Sequence, residues 1–262
     1  MGGHSYVPGS TKKYLSETEF VHPTHFIMKN NDIIFWTDIE GLPEIEPVTL
    51  SQNFIPEWFQ NIPSFSKHKE NITAAGEGAT IKMCPGLEDF FKIGYVVPLW
   101  CDVYVELKNE DEWRWRVPYA KFDFDIHPTW QYKDYLPPEA HKNTALILKA
   151  YCPWKVKTPK GVSLLQLPMS YHFDARFSLM SGIIHTDMHH WINQQLVINK
   201  EGETLIPRGT PLGMYVPIRR ENYNLIVREE TKEDIKRLER SAYRLKSKFL
   251  GSYKSIKKHL DK

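Results

Sequence analysis

The 262-residue chain has few cysteines, and they form no metal-binding or disulfide pattern. Cys84, Cys101 and Cys152 are odd in number and include no Cys-x-x-Cys pair. A disulfide framework and a thiolate zinc site are therefore not expected. We predict reduced thiols that behave as small hydrophobic groups.

Long apolar runs and the common catalytic fingerprints are also missing. No stretch approaches the roughly 20 apolar residues that cross a bilayer, and the N-terminus has no apolar run after a basic start. The P-loop, Gly-x-Ser-x-Gly and Rossmann patterns do not occur. We therefore predict no membrane span, no secretory signal and a soluble intracellular protein.

Charge is nearly balanced overall but unevenly distributed. The formal net charge is +2, while residues 231–262 hold eleven Lys or Arg against four Asp or Glu, a net of +7, so the remainder carries −5. An electrostatic partner is therefore expected at the C-terminal segment rather than at the body.

Short apolar or alternating segments dominate from residue 80 onward. Alternation over 103–117 predicts a hairpin in which Trp113 and Trp115 face inward and Arg114 and Arg116 face outward, although interleaved aromatic and guanidinium groups can also stack nucleic-acid bases. Further strands are predicted at 145–150, 156–158, 162–167, 176–184, 192–198, 204–206 and 212–218. Many short strands with little helix between them indicate a mainly β sandwich or barrel-like domain.

The two ends of the chain differ from this pattern. Residues 1–75, rich in Pro, Asn, Ser and aromatics, are interpreted as an N-terminal arm with short strands that packs against the main body or a neighbouring subunit. The β domain is placed at 76–228 and a basic amphipathic helix at 229–262, with Thr231 as its N-cap. Apolar residues recur there every three or four positions, close to a heptad repeat: Ile235, Leu238, Ala242, Leu245, Phe249, Tyr253, Ile256 and Leu260.

The chain from about Ile81 to Glu221 resembles a family of dUTPase-like, or β-clip, proteins of tailed phages and bacteria. The resemblance is carried by Ile81–Pro85, Gly94–Leu99, His127-Pro128 with Gln131, Pro153-Trp154, Thr158–Gly161, Gly182–Ile184 with Thr186-Asp187, Ile206–Leu212 and Pro217–Glu221. It implies a distorted β-barrel, commonly trimeric, with sites between subunits. It also implies location in the host cytoplasm or in the virion.

Several positions depart from the dUTPase pattern. His185 stands where the resemblance implies a water-activating aspartate, Met188 where it implies an aromatic that stacks on deoxyribose, and Met169-Ser170 where it implies an Arg-Ser pair. The basic helix stands in place of a Gly-rich arm that closes over triphosphate. Standard dUTP hydrolysis is therefore not predicted.

The richest candidate site is Gly182–Trp191. On an extended strand, His185, Asp187 and His189 would share one face, and two imidazoles with a carboxylate can hold a divalent metal. The simpler interpretation is surface or interface histidines at a subunit junction. As catalytic candidates we name Asp187, His185 and Ser170, because a carboxylate or an imidazole can act as a general base.

Two functions follow from these patterns. The first is an oligomeric binding or structural protein, with a virion component as one form, a homotrimer as the favoured assembly, and a C-terminal helix available to a phage or host protein. The alternative is a divergent nucleotide-processing hydrolase with its site around Ser170, His185 and Asp187.

Overall fold

A computed structural model describes residues 31–66, 78–109, 112–119, 121–141 and 144–246. The chain divides into two compact units. The first contains the described residues up to Pro63 together with Asp89–Arg220, and the second contains those of Ser64–Glu88 and those from Glu221 onward. The predicted arm is not separate in this division, since its described strands belong to sheets of the first unit.

The described residues are mainly β. The strands are β1 (Ile34–Thr37), β2 (Thr49–Leu50), β3 (Tyr95–Pro98), β4 (Val103–Asn109), β5 (Glu112–Arg116), β6 (Phe124–Ile126), β7 (Leu146–Lys157), β8 (Val162–Pro168), β9 (Phe177–Leu179), β10 (Gly182–Ile184), β11 (Trp191–Ile198), β12 (Gly202–Ile206) and β13 (Pro211–Arg219). The helices are α1 (Leu42–Ile45), α2 (Glu57–Asn61), α3 (Pro85–Phe90), α4 (Pro138–His141) and α5 (Lys232–Lys246). Short 3₁₀ helices lie at Ser51–Phe54, Ile81–Met83, Thr129–Gln131 and Lys133–Tyr135. None of the described helices is long and apolar enough to cross a bilayer.

The strands of the first unit form three antiparallel sheets. One has the order β1-β7-β11-β9, with β6 also paired to β7; a second has the order β10-β8-β13-β3-β2; the third has the order β12-β4-β5. The mainly β prediction is confirmed. Over the described residues these sheets stay open, so the distorted barrel that the resemblance implies is not closed here.

The predicted hairpin is present as β4 and β5. Val105 pairs with Trp115, and the exposure of β5 alternates so that both tryptophans pack against the core while Arg114 and Arg116 are exposed. Arg114 binds the Glu106 carboxylate with two hydrogen bonds of 2.5 and 2.8 Å. The two tryptophans therefore contribute to the core, as the alternating sequence predicted.

Strand β7 replaces two predicted strands, 145–150 and 156–158. The intervening Pro153 does not end the strand, because the pairing with β11 shifts register between Trp191 and Asn193, opposite this residue. Proline lacks the N–H that a regular ladder needs, and β7 itself bulges here, with residues 152–154 opposite the single residue Ile192 of β11. Sequence alone favoured a break at Pro153, and the bulge in β7 explains why the strand continues through it.

The predicted strand 176–184 is instead two strands in different sheets. β9 pairs with β11, while β10 pairs with β8, so the chain crosses between sheets at Met180 and Ser181. Gln166 Nε2 donates to the Met180 carbonyl at 2.9 Å and ties this crossing to β8. Both strands are apolar, and hydrophobicity alone does not reveal that they belong to separate sheets.

A buried polar chain joins the first two sheets. Gln194 of β11 donates to the Tyr215 hydroxyl at 2.9 Å, and this hydroxyl donates to Gln166 at 3.0 Å. Burying these groups is costly unless they are paired, so the chain fixes how the sheets face each other. Burial also raises the pKa of Tyr215 well above its ordinary value, which keeps the hydroxyl protonated as a donor.

In the second unit, helix α5 begins with the predicted N-cap. The Thr231 hydroxyl accepts from the Asp234 backbone N–H at 3.3 Å, and Asp234 accepts from the Thr231 N–H at 2.9 Å. This reciprocal pair is a capping box with aspartate at the third helical position. Arg228 also donates to the Asp234 carboxylate. The predicted helix beyond residue 246 lies outside the described residues.

Candidate functional site

The histidine-rich stretch after β10 is a turn, not a strand. β10 ends at Ile184, and the backbone N–H groups of Met188 and His189 both donate to the His185 carbonyl, at 3.0 and 2.8 Å. The two-residue periodicity of a strand does not apply to such a turn. The expectation that His185, Asp187 and His189 share the face of an extended strand is therefore wrong.

Asp187 is held by an arginine from the end of β13. Arg220 donates to both Asp187 oxygens, one hydrogen bond measuring 2.8 Å, and the Gly161 N–H donates to Oδ2 at 3.0 Å. Gly161 has φ +80° in the turn after Pro159, a conformation that favours glycine. The Asp187 side chain is 6% exposed and that of Arg220 is 31% exposed. The aspartate is thus a structural anchor between three distant segments.

These hydrogen bonds strongly favour the ionised carboxylate. The Arg220 guanidinium, and then the Gly161 N–H, hold the pKa of Asp187 well below its ordinary value. A general base works best when its pKa lies near the operating pH. A carboxylate with so low a pKa is a weak proton acceptor at neutral pH, which limits the predicted base role of Asp187.

The same arginine reaches His185 through a buried serine. Arg220 Nη1 donates to Ser163 Oγ at 2.7 Å, and this oxygen lies 2.9 Å from His185 Nδ1. Because the arginine can only donate, the serine hydroxyl proton is free to point at Nδ1. We call Gly161, Ser163, His185, Asp187 and Arg220 the Arg220 clamp. Ser163 is fully buried, so it positions His185 and is not accessible as a nucleophile.

Further hydrogen bonds support the clamp from inside. The hydroxyls of Thr158 and Thr186 lie 2.7 Å apart, and Thr158 donates to the Val162 carbonyl at 2.7 Å. His190 Nδ1 lies 3.1 Å from the Val156 carbonyl and 3.0 Å from that of Thr186, so this nitrogen carries the proton. His190 is thereby a structural residue.

An open groove lies beside the clamp, between β10 and β11. It has a volume of about 350 Å³ and is lined by Gln166, Gly182, Ile183, Ile184, His185, His189, Trp191, Asn193 and Gln195. Ile183 and Trp191 are 57% and 54% exposed. The Lys155 ammonium lies 4.8 Å from the Trp191 ring centroid and adds positive charge at the rim. We call this surface the β10 groove.

Ser170 does not join His185 and Asp187. It follows the C-terminal end of β8, whereas Ser163 and the clamp lie at the N-terminal end of that strand. Ser163 and Pro168 are five positions apart on the strand, roughly 17 Å at about 3.3 Å per residue. Ser170 lines a different pocket, with about 10 Å³ of space. The three predicted catalytic residues are therefore not assembled into one site.

The loop that contains Ser170 is strained and aromatic. Tyr171 and Phe173 have φ of 67° and 53°, in a region that bulky residues rarely occupy. His172 Nε2 donates to the Phe54 carbonyl at 2.8 Å, and Trp58 Nε1 donates to the Tyr171 carbonyl at 2.7 Å. Nothing in the order of residues indicates left-handed backbone here, so this cluster was not predicted.

No metal centre is visible in the described part of the chain. Among those residues, no group of three His, Cys, Asp or Glu side chains is arranged to hold a metal ion, and this includes His185, Asp187 and His189. Both oxygens of Asp187 already accept hydrogen bonds from the clamp. The arrangement therefore gives the metal hypothesis no geometric support.

Two of the three cysteines are buried, and the third is exposed. Burial raises the pKa of Cys101 and of Cys152 to about 12, so both thiols stay protonated near neutral pH. Only the thiolate is a nucleophile or a strong metal ligand. These two residues therefore act as small core groups, while Cys84 is exposed.

The segment that follows Arg220 contains exposed apolar side chains, whereas the polar side chains of the clamp are paired by hydrogen bonds. Residues 220–230 form neither helix nor strand, and Leu225, Ile226 and Val227 are 90%, 78% and 87% exposed. On α5, Ile235 and Leu238 are exposed as well. We call residues 222–228 the apolar segment.

No protein-family model matches the chain, and a search of curated proteins finds no match.

Proposed function

We propose that the protein is a phage-type, dUTPase-like β-clip protein without standard dUTPase chemistry, which acts as an oligomeric binding or structural protein. A homotrimer is its favoured assembly, and the virion or the host cytoplasm is its expected location. The observation that supports self-association is the exposure of the apolar segment.

The apolar segment is too exposed to suit a lone chain in water. Three consecutive aliphatic side chains, Leu225 to Val227, are each at least 78% exposed. Burying one such side chain fully gains about 1.5–3 kcal/mol. Contiguous exposed apolar surface of this kind marks interaction sites. Self-association would remove it from water.

The clamp supports the view that standard dUTPase chemistry is absent. Asp187, the carboxylate of the turn, is committed to Arg220 and Gly161, and its pKa is strongly lowered. His185 stands at the position where the resemblance implies a catalytic aspartate. A carboxylate held in this way stabilises the turn and is a weak proton acceptor.

The test is the mass of the full chain in solution. Light scattering after size exclusion is expected to give a multiple of 30.8 kDa for the natural chain, three in the favoured assembly. A Leu225→Asp, Val227→Asp double variant should give 30.8 kDa, because two charges replace the apolar side chains that association buries.

Asn224→Asp is the matched control. It adds negative charge to the same segment and removes no apolar area, so it should retain most of the assembly. A natural chain with the mass of one protomer at every concentration up to 100 μM would refute the oligomeric proposal.

The hydrolase alternative is favoured by one observation, the β10 groove beside His185 and His189. Its amide side chains and two imidazoles could bind a polar ring or a phosphate. A thermal-shift panel of deoxynucleotides and ribonucleotides, each with and without magnesium, manganese or zinc, tests it. A bound ligand at a hundredfold its dissociation constant stabilises a fold by about 2.7 kcal/mol. A nucleotide-specific shift lost in His185→Ala would support the alternative, and a flat panel would contradict it.

A further inference from the structure

Three exposed aromatic side chains lie on the outer face of the sheet formed by β1, β7 and β11. Trp36 of β1 and Trp191 of β11 are both paired with Lys155 of β7, and Tyr151 lies further along β7. Directly paired residues of neighbouring strands project to the same side of a sheet. Trp36, Tyr151 and Trp191 are 36%, 38% and 54% exposed. We call these three side chains the aromatic face.

Two lysines of β7 hold two of these rings in place. The Lys155 ammonium lies 4.8 Å from the centroid of the Trp191 ring, and the Lys149 ammonium lies 4.9 Å from the centroid of the Tyr151 ring. A cation over a ring is attracted to the ring face, which favours one orientation of an exposed aromatic side chain. Rings that are already oriented lose less freedom when a ligand packs against them.

Acidic side chains offset the charge of both lysines. Lys155 donates to the Asp38 carboxylate at 3.2 Å, and Lys149 is opposite Asp125 in the pairing of β6 with β7. The chain outside residues 231–262 also carries a net charge of −5. Binding of single-stranded nucleic acid depends strongly on phosphate contacts with basic side chains. The charges around the aromatic face therefore favour a neutral ligand over a nucleic acid.

Two amide side chains lie beside the aromatic face. Asn193 and Gln195 follow Trp191 at alternate positions of β11, so they project to the same side, and all three line the β10 groove. Neither side-chain amide has a hydrogen-bond partner among the described residues. An amide side chain both donates and accepts hydrogen bonds. Hydroxyl groups do the same, so these amides suit a ligand rich in hydroxyls.

We propose that the aromatic face binds a neutral oligosaccharide. The C–H faces of its sugar rings pack on the aromatic rings, and its hydroxyls form hydrogen bonds with Asn193 and Gln195. Adjacent strands are about 4.8 Å apart, so the backbones of Trp36 and Trp191, on either side of β7, are roughly 10 Å apart. A chain of sugars spans this distance better than a single sugar. The face lies within one chain, so this binding is independent of the proposed oligomeric state.

Isothermal titration calorimetry of the full chain with defined probes tests the ligand class. The neutral probes are cellohexaose, maltohexaose, chitohexaose and mannohexaose, and the charged probes are a heparin hexasaccharide and an oligothymidine. At least one neutral hexasaccharide is expected to bind with a dissociation constant below about 1 mM, and the charged probes are expected to bind at least about tenfold more weakly. Failure of every neutral probe to bind, or tighter binding of a charged probe, would overturn the proposal.

Variants of one aromatic residue locate the binding. Trp191→Ala should raise the dissociation constant of the bound hexasaccharide at least about tenfold, while Trp191→Phe, which keeps an aromatic ring, should raise it less than about threefold. Trp130→Ala is the matched control, because this exposed indole lies in Thr129–Gln131, outside the sheet. It should change the constant less than about twofold. Equal effects of Trp191→Ala and Trp130→Ala, with circular dichroism showing both folded, would contradict the assignment.

Acrylamide quenching of tryptophan fluorescence gives an independent check on the natural chain. The bound ligand is expected to cover Trp36 and Trp191, two of the eight tryptophans, so a saturating hexasaccharide should reduce quenching. The double variant Trp36→Phe, Trp191→Phe should still bind but lose this protection. Quenching of the natural chain that stays unchanged at saturation would place the ligand elsewhere and overturn the inference.

Discussion

The Arg220 clamp and the apolar segment are neighbours in sequence but differ in their contacts. The side chains of the clamp are paired within one chain, and the aliphatic side chains of the segment are exposed to solvent. In the clamp, Asp187, Ser163 and Arg220 form hydrogen bonds with one another within a single chain. In the segment, Leu225 and Val227 are almost fully exposed. The clamp is therefore complete in a single copy, while the segment has a surface that association would complete.

The largest expected difference is in the free energy of unfolding, between replacing a leucine of the core and replacing a leucine of the apolar segment. Leu148 is fully buried in β7, so Leu148→Ala should lower the free energy of unfolding by about 2–5 kcal/mol. Leu225→Ala in dilute, dissociated protein should change it by less than about 0.5 kcal/mol, as for an exposed site. Urea unfolding followed by tryptophan fluorescence measures both. A comparable loss for Leu225→Ala would show that the segment packs within its own chain.

Breaking the clamp should come next in size. Arg220→Ala leaves the Asp187 carboxylate, which is 6% exposed, without its cationic partner. Removing one partner of a buried pair is strongly destabilising, and the exposure of Arg220 to solvent reduces that loss, so we expect a decrease in the free energy of unfolding smaller than that of Leu148→Ala. Arg219→Ala, at the exposed neighbouring position, should cost less than about 0.5 kcal/mol. Equal losses in urea unfolding would remove the structural role that we assign to the clamp.

The clamp also predicts how stability depends on pH. Because the pKa of Asp187 is lower in the folded chain than in the unfolded one, its contribution is fully present above the unfolded pKa of about 3.9 and is lost as the pH falls toward the folded pKa. Asp187→Asn should therefore be less stable at pH 7, by about 1 kcal/mol or more. Its stability should also fall less than that of the natural chain between pH 4 and pH 2. Parallel pH curves would contradict this assignment.

The smallest effect concerns the start of α5. Thr231→Ala removes the hydroxyl that accepts from the Asp234 N–H and should cost about 1 kcal/mol of local helix stability. Hydrogen exchange of the first-turn amides measures this, with Thr231→Ser as the matched control. An effect of similar size on the amides of β8 would show that the capping box and the first unit are energetically coupled.

The sequence predicted much of the fold because local patterns determine it. Alternation located the β4–β5 hairpin, and Thr231 before an apolar repeat of three to four residues located the start of α5. The predictions of strands were wrong where pairing between distant segments determines where a strand begins and ends. The split of 176–184 between two sheets and the continuity of β7 through Pro153 depend on partner strands.

The candidate site was predicted only in part, for the same reason. The stretch His185–His190 was proposed as the candidate site, but its turn depends on Arg220, which lies 33 positions from Asp187. Neither Arg220 nor Ser163 was proposed as a partner, because nothing in the order of residues shows that they meet. Ser170 was included through the resemblance, and the length of β8 separates it from the clamp.

Hydrogen exchange across 222–228, measured at several protein concentrations, tests whether another copy covers the apolar segment. We expect slow exchange of these amides when the protein is assembled, and exchange near free-chain rates after dilution below the dissociation constant. The amides of Gly161 and of the turn after β10 should keep their protection throughout, because their hydrogen bonds are internal to one chain. Free-chain exchange of 222–228 at every concentration would contradict the claim that another copy covers the apolar segment.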